Sequence, residues 1–121
     1  MTHVLTGPTV DQWQTEADLY QALAHPVRLA IQEVLLRDEE CVCHLTALFQ
    51  KPQAYMSQQL AVLREAGLVM DRKDGLRVFY RLHDQRLGVL LGEMRRVAGL
   101  GVAVLPLNER VGGCECPKCA R

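Results

Sequence analysis

Residues 42–82, VCHLTALFQKPQAYMSQQLAVLREAGLVMDRKDGLRVFYRL, decide the fold that this sequence predicts. Their apolar spacing predicts a short helix, a turn at Lys51-Pro52 and a second helix from about Gln53 to Ala66. The remainder is rich in β-branched and aromatic residues on both sides of Asp74-Gly75, a dipeptide typical of hairpin turns. The stretch therefore predicts a helix, a turn, a second helix and a β-hairpin, in that order.

Further helices are predicted on both sides of this stretch. A first helix from about Asp11 ends at His25-Pro26, and a second begins there because proline suits the first helical position. A last helix from about Asp84 has apolar residues at helical spacing, namely Leu87, Leu90, Leu91, Met94, Val97 and Ala98. That stripe fits either a dimer seam or an ordinary core. The order α-α-α-α-β-β-α is that of a winged helix-turn-helix, mainly α with a β-hairpin wing, and we expect it to be dimeric.

The length of 121 residues suits a single domain with short extensions. We predict a flexible arm at residues 1–10, a winged helix-turn-helix domain for DNA binding and dimerisation at residues 11–100, and a cysteine-bearing tail at residues 101–121. The chain start lacks the pattern of a signal peptide, and no run of apolar residues is long enough for a membrane span. We therefore expect a cytoplasmic protein with reduced thiols and no membrane partner.

The charge distribution favours a nucleic-acid surface in the second part of the chain. The sequence has 14 basic and 14 acidic residues; residues 1–40 hold two and seven of them, which leaves twelve bases against seven acids in residues 41–121. Glutamine and serine can bind base edges, while arginine and lysine bind phosphates. We predict that double-stranded DNA is bound by polar residues of the second helix of the pair and by bases of the hairpin region, namely Gln53, Tyr55, Ser57, Gln58, Gln59, Arg64, Arg72, Lys73 and Arg77.

Three stretches together resemble the ArsR/SmtB family of metal-responsive transcriptional repressors. They are ALAHPVRLAIQEVL at residues 22–35, ECVCHLTALF at residues 40–49, and MSQQLAVLREAGLVMDRKDGLRVFYRL at residues 56–82. The resemblance covers roughly residues 15–100. It implies a homodimer built on the first and last helices, an inverted-repeat operator, and release of that DNA when a metal binds.

Cys41 and Cys43 lie where a helix begins, and the positive end of a helix favours the thiolate, the form of cysteine that binds metals. Two thiolates do not complete a site, because trivalent arsenic takes three sulfurs and Cd(II), Pb(II) or Zn(II) take about four donors. The family resemblance implies that this Cys-Val-Cys is the thiolate sensor and that Thr46 replaces a third cysteine common in arsenic sensors. We therefore predict that the tail supplies the missing ligands from Cys114, Cys116 and Cys119, with As(III) or Sb(III) preferred over Cd(II), Pb(II) or Zn(II).

Other interpretations of the cysteines remain open. Cys41 alone fits a buried core residue, and the tail fits a separate zinc knuckle or a metal-scavenging appendage. A redox- or sulfide-responsive repressor would use a disulfide or polysulfide between Cys43 and the tail. An enzyme is not expected, since no nucleophile–base pattern and no phosphate-binding glycine loop is present. The resemblance implies a second zinc site on the last helix, but Asp84 and Glu93 lack a histidine within that helix.

Overall fold

The structure, a computed structural model, describes residues 8–101 and Cys114. Within these residues lie five α-helices and three strands: α1 (Pro8–Leu23), α2 (Pro26–Arg37), β1 (Glu40–Cys41), α3 (Val42–Phe49), α4 (Gln53–Glu65), β2 (Val69–Asp74), β3 (Arg77–Leu82) and α5 (Arg86–Val97). The predicted winged helix-turn-helix is confirmed, with β2 and β3 as the wing. The predicted division into arm, domain and tail stays a prediction, although α1 begins at Pro8, before the expected Asp11.

The helix boundaries follow from local chemistry. His25 caps α2, because its Nδ1 accepts a hydrogen bond of 3.1 Å from the backbone N–H of Val27, and Pro26 occupies the first helical turn. Gly67 follows α4 with a φ of 79°, a left-handed conformation that glycine adopts without strain. Asp84 begins the turn into α5, where its carboxylate accepts a hydrogen bond of 2.8 Å from the backbone N–H of Arg86.

A small antiparallel sheet with the strand order β1-β3-β2 joins the wing to the start of α3. In the hairpin, Asp74 pairs with Arg77 across the two-residue loop Gly75-Leu76. The two-residue strand β1 pairs Glu40 with Tyr80 and Cys41 with Phe79. The sequence analysis missed β1, because two residues contain no alternating pattern. This pairing fixes the backbone of Cys41 to the wing.

One apolar core holds the DNA-binding helices in place. It is formed by fully buried side chains of α2, α3 and α4 that include Ile31, Val34, Leu45, Met56, Leu60 and Leu63, with Val69, Tyr80 and Leu82 from the wing. The inward positions predicted for α4 are thus confirmed. Because each of these residues removes apolar area from water, the core is the main stabilising term and fixes α4 relative to α3.

The predicted apolar stripe of α5 divides into two rows. Leu87 and Leu91 are half-buried and pack against the core. Leu90, Met94 and Val97 are exposed in the protomer, and they are 47%, 60% and 83% accessible. The inner row therefore belongs to the core, whereas the outer row remains uncovered. None of the described helices combines the length and the apolar character needed to cross a bilayer.

Candidate functional site: a thiol cluster beside the wing

Three cysteines converge at the start of α3. The Sγ atoms of Cys41 and Cys43 are 2.7 Å apart, and the Sγ of Cys114 lies 3.4 Å from that of Cys43. All three sulfurs lie within 4.8 Å of one another, and within the described residues no other group of three or more cysteine, histidine or acidic ligands is this compact. Both measured separations exceed the roughly 2.05 Å of a disulfide bond. The three residues are called the thiol cluster below.

The local fold orients the two sulfurs of α3. Cys41 is the N-cap residue of that helix, and its Sγ accepts a hydrogen bond of 3.4 Å from the backbone N–H of His44. Cys41 and Cys114 are buried, with 1% and 8% of their surfaces exposed, whereas Cys43 is half-buried. The predicted position of the pair at a helix N-terminus is therefore what the structure has. This position favours negative charge on sulfur because unpaired backbone N–H groups point toward it.

A cavity of about 350 Å³ opens beside the thiol cluster. Its walls come from the thiol pair, from the start of α4 and from the wing, namely Cys41, Val42, Cys43, Gln53, Ser57, Leu76, Arg77, Val78 and Tyr80. The guanidinium of Arg77 donates from Nη1 to the Sγ of Cys43 at 3.9 Å. A single small space therefore adjoins the sulfurs, one cation and the two elements expected to contact DNA.

The other predicted ligands do not join this cluster. Cys116, Cys119 and His3 lie outside the described residues. The ring of His44 is fully buried, and its Nε2 lies 3.8 Å from Oε1 of Glu40, which is also buried. The hydroxyl of Thr46 has no hydrogen-bond partner among the described residues. The donor set that the structure assembles consists of three sulfurs, a combination suited to soft ions rather than to Mg²⁺ or Ca²⁺.

The acidic residues of the last helix already have cationic partners. Asp84 forms an ion pair of 2.7 Å with Arg86, and hydrogen bonds from the Arg86 side chain and backbone lower the pKa of Asp84 to about 2. Glu93 pairs with Arg96. His83 places Nδ1 3.4 Å from the sulfur of Met70. The structure therefore does not bring these three residues together as a metal site.

The exposed face of α4 presents part of the predicted DNA surface. Gln53, Ser57 and Gln58 are exposed along it, at spacings that put them on neighbouring turns. Lys73 is exposed on the wing. These side chains are free to meet a groove or a phosphate, because no hydrogen bond or ion pair within the described residues engages them.

Two of the predicted DNA contacts on α4 have structural roles instead. Gln59 is half-buried, and its Oε1 accepts a hydrogen bond of 2.7 Å from Nη1 of Arg28. Arg28 also donates to backbone carbonyls at the end of α1, so it fastens α1 and α2 to α4. Tyr55 is half-buried and packs against the core. The sequence gives no sign of these contacts, because they join residues 31 positions apart.

The arginines predicted to bind phosphate also have internal partners. Arg72 makes two hydrogen bonds of 2.9 and 2.7 Å to the carboxylate of Glu39, and its guanidinium stacks 4.6 Å from the ring centre of Phe79. The hydrogen bonds from Glu39 raise the pKa of Arg72 above its ordinary value. Arg64 pairs with Asp71 at 3.3 Å, an exposed contact that a phosphate can replace at little cost. Arg72 therefore ties the wing to the segment just before Cys41.

Comparison with known proteins places this arrangement among bacterial regulators. The family model described as "Bacterial regulatory protein, arsR family" matches residues 25–71. A transcriptional repressor SmtB homolog of Synechocystis is 38% identical over 86 residues, which are 71% of this chain and 65% of that protein. An arsenic resistance transcriptional regulator of Pseudomonas putida is 38% identical over 86 residues, 70% of this chain and 60% of that protein. The chain thus spans somewhat less than two thirds of the length of these two relatives.

A further relative and two solved structures extend the likeness. A biofilm growth-associated repressor of Agrobacterium fabrum is 40% identical over 85 residues, 69% of this chain and 73% of that protein. A homodimeric winged helix-turn-helix DNA-binding domain of Mycobacterium bovis superposes with a TM-score of 0.70 at 26% identity, covering 78% of this chain and 87% of that one. Reduced HlyU of Vibrio cholerae superposes with a TM-score of 0.64 at 32% identity, covering 72% and 92% of the two chains.

Proposed function

We propose that this chain, which belongs to the ArsR family of bacterial regulatory proteins, is a transcriptional repressor that releases its DNA when a thiophilic ion binds Cys41, Cys43 and Cys114. Regulators of this family are DNA-binding transcription factors and not enzymes. The observation that supports the ion-sensing role is the convergence of three sulfurs within 4.8 Å. A protein that meets DNA and reduced thiols together works in the cytoplasm, which is the proposed location.

The number of sulfurs favours a trivalent ion. Three thiolates satisfy As(III) or Sb(III), whereas Cd(II), Pb(II) and Zn(II) need about one donor more. We therefore keep As(III) or Sb(III) as the preferred effectors, and the name of the Pseudomonas putida relative, an arsenic resistance regulator, agrees with that choice. Cys116 and Cys119 remain the proposed source of a fourth donor, by which a Cd(II) or Pb(II) response would arise.

Ion binding is tested without DNA by spectroscopy on the full chain. Arsenite added to the reduced protein is expected to bind once per protomer, and X-ray absorption at the arsenic edge is expected to show only sulfur neighbours, three in number. Cd(II) serves as the comparison ion. A first shell of oxygen or nitrogen around arsenic, or a stoichiometry unchanged after replacement of Cys114 by serine with three sulfurs retained, would contradict the proposed ligand set.

The DNA surface that we propose comprises the exposed face of α4 and the wing. Gln53, Ser57 and Gln58 would meet base edges in the major groove, since the second helix of a helix-turn-helix lies there. Lys73 and Arg64 would meet phosphates, which position the protein and make its affinity fall with salt. Selection from a random duplex library is expected to recover an inverted repeat.

Gln58 and Gln59 are adjacent and chemically identical, so they form a matched pair for testing this surface. Gln58→Ala is expected to weaken binding to the selected operator by about 5–150-fold, the worth of one bidentate base contact, without changing stability. Gln59→Ala is expected to lower the free energy of unfolding by about 1–2 kcal/mol, because it removes a hydrogen bond to the charged Arg28, while leaving sequence preference unchanged. Anisotropy with operator and random duplexes, together with urea unfolding, measures both. Equal loss of operator binding in the two variants would refute the assignment.

A homodimer is the proposed assembly. Exposed apolar side chains of α1 and α5 lie on the outside of the protomer, among them Trp13 at 64% and Met94 at 60%. An apolar cavity of about 370 Å³ separates these helices from α2, and it is lined by Tyr20, Leu23, Ala24, Leu29, Leu90, Leu91 and Met94. Uncovered apolar surface of this kind marks an interface, and the Mycobacterium bovis neighbour is described as homodimeric. A twofold dimer would explain an inverted-repeat operator.

The 3.4 Å between the sulfurs of Cys43 and Cys114 also supports a redox alternative. Peroxide would oxidise the Cys43 thiolate to a sulfenic acid with loss of water, and attack by the Cys114 thiol would then form a disulfide and release a second water. Sulfane sulfur would insert instead to give a polysulfide. Mass spectrometry after mild peroxide separates the alternatives: a Cys43–Cys114 bridge that releases DNA, with no effect of arsenite, would favour this second function.

A further inference from the structure

We propose that Arg77 is a positioning residue that reports the state of the thiol cluster to the wing, and that it is not primarily a phosphate contact. Arg77 is half-buried at the first position of β3, directly after the two-residue hairpin loop. Its Nη1 reaches the Sγ of Cys43 at 3.9 Å across the cavity that the thiol pair shares with Gln53 and Ser57. The inference deepens the proposed function and rests on it.

The contact between Arg77 and Cys43 depends on the charge of the sulfur. Guanidinium is always cationic, and a hydrogen bond from a charged donor is strongest when the acceptor is an anion. An ion bound to Cys43 takes electron density from the same sulfur and adds positive charge next to Arg77. The contact is therefore favourable in the ion-free state and weaker in the ion-bound state, which is the difference in interaction that allostery requires.

The strand pairing places this contact where the wing is otherwise held least. Strand β1 pairs only with Phe79 and Tyr80, so the end of β3 next to the hairpin loop has no β1 partner. The ion pair of Arg72 with Glu39 fastens the wing to the segment before Cys41 without involving sulfur. Ion binding leaves both of these attachments in place. What it changes is the attachment of the hairpin tip, where Lys73 and Leu76 are exposed.

The geometry therefore links two events at one residue. In the ion-free protein, Arg77 draws the tip of the wing toward α3 and fixes the angle between the wing and α4. In the ion-bound protein the tip loses that attachment, and the wing and α4 no longer fit the DNA together. Because α4 itself is fixed by the apolar core, the wing is the element that moves.

The test compares Arg77→Gln with Arg81→Gln. Arg81 lies on the same strand and is fully exposed, so its replacement removes an equal charge from the wing without touching the thiol cluster. The affinity of each full-length variant for the selected operator is measured by anisotropy, with and without arsenite, at several salt concentrations. The parent protein fixes the reference ratio of the two affinities, and urea unfolding confirms that the variants are folded.

Arg77→Gln is expected to reduce the ratio of ion-free to ion-bound affinity by about 3–10-fold, the worth of one half-buried charged hydrogen bond. Arg81→Gln is expected to keep the parent ratio, and Arg77→Lys to restore part of it because the cation is retained. The inference is overturned if Arg77→Gln keeps the parent ratio, or if it lowers both affinities equally with a smaller salt slope, as a phosphate contact would. A parent protein that does not respond to arsenite would overturn the proposed function itself, and the Arg77 inference with it.

Discussion

The double variant Cys41→Ser/Cys43→Ser is expected to bind operator DNA as tightly as the parent protein and to lose its entire response to arsenite. A coupling between ion and DNA of about 5–150-fold, the usual size of an allosteric effect, should fall to no measurable change. Serine hydroxyls stay protonated near neutral pH and bind soft ions poorly, so only Cys114 would remain of the described cluster. Serine is also a preferred N-cap residue, so Cys41→Ser should preserve the start of α3.

Anisotropy titrations of the selected operator with arsenite measure this loss. The matched control is Cys116→Ser/Cys119→Ser, which removes an equal number of thiols from the tail. If Cys41, Cys43 and Cys114 form the complete As(III) site, the control responds as the parent does, and Cys114→Ser alone responds weakly. Retention of the full response in Cys41→Ser/Cys43→Ser would exclude the thiol pair as the sensor.

Dissociation of the dimer is expected to have the second large effect. Leu90→Glu/Met94→Glu places two carboxylates on the exposed row of α5, where a second protomer would have to bury them unpaired. We expect a monomer in sedimentation experiments and a loss of operator affinity of about 10²–10⁴-fold, because two half-sites are then bound independently. Leu90→Gln/Met94→Gln separates packing from charge and should weaken the dimer less. A dimer that persists in the Glu variant would show that this face is not the seam.

The sequence predicted the element order because its strongest signals are local. His25-Pro26 divides two helices, Asp74-Gly75 marks a hairpin, and Gly67 ends α4, and each of these signals depends on the conformational preferences of one or two residues. The placement of Cys41 and Cys43 at a helix start was predictable for the same reason. The two-residue strand β1 was not, since its existence depends on the partner strand β3.

The predicted DNA contacts were correct about position and incomplete about partners. Gln59, Arg72 and Arg77 are on the expected elements, but each meets a distant residue: Arg28, Glu39 and Cys43 respectively. Polarity at a helical or strand position does not reveal whether a side chain meets solvent or another element, because that depends on tertiary packing. The proximity of Cys114 to the thiol pair is of the same kind, with 71 residues between it and Cys43.

The central claim is that a soft ion at the thiol cluster lowers the affinity of the protein for its operator. The most direct measurement is the dissociation constant of the reduced, full-length protein for a fluorescent operator duplex at fixed salt, determined without ion and with saturating arsenite. We predict an affinity about 5–150-fold weaker with arsenite, restored when a competing dithiol removes the ion. An affinity unchanged by bound arsenite would contradict the account.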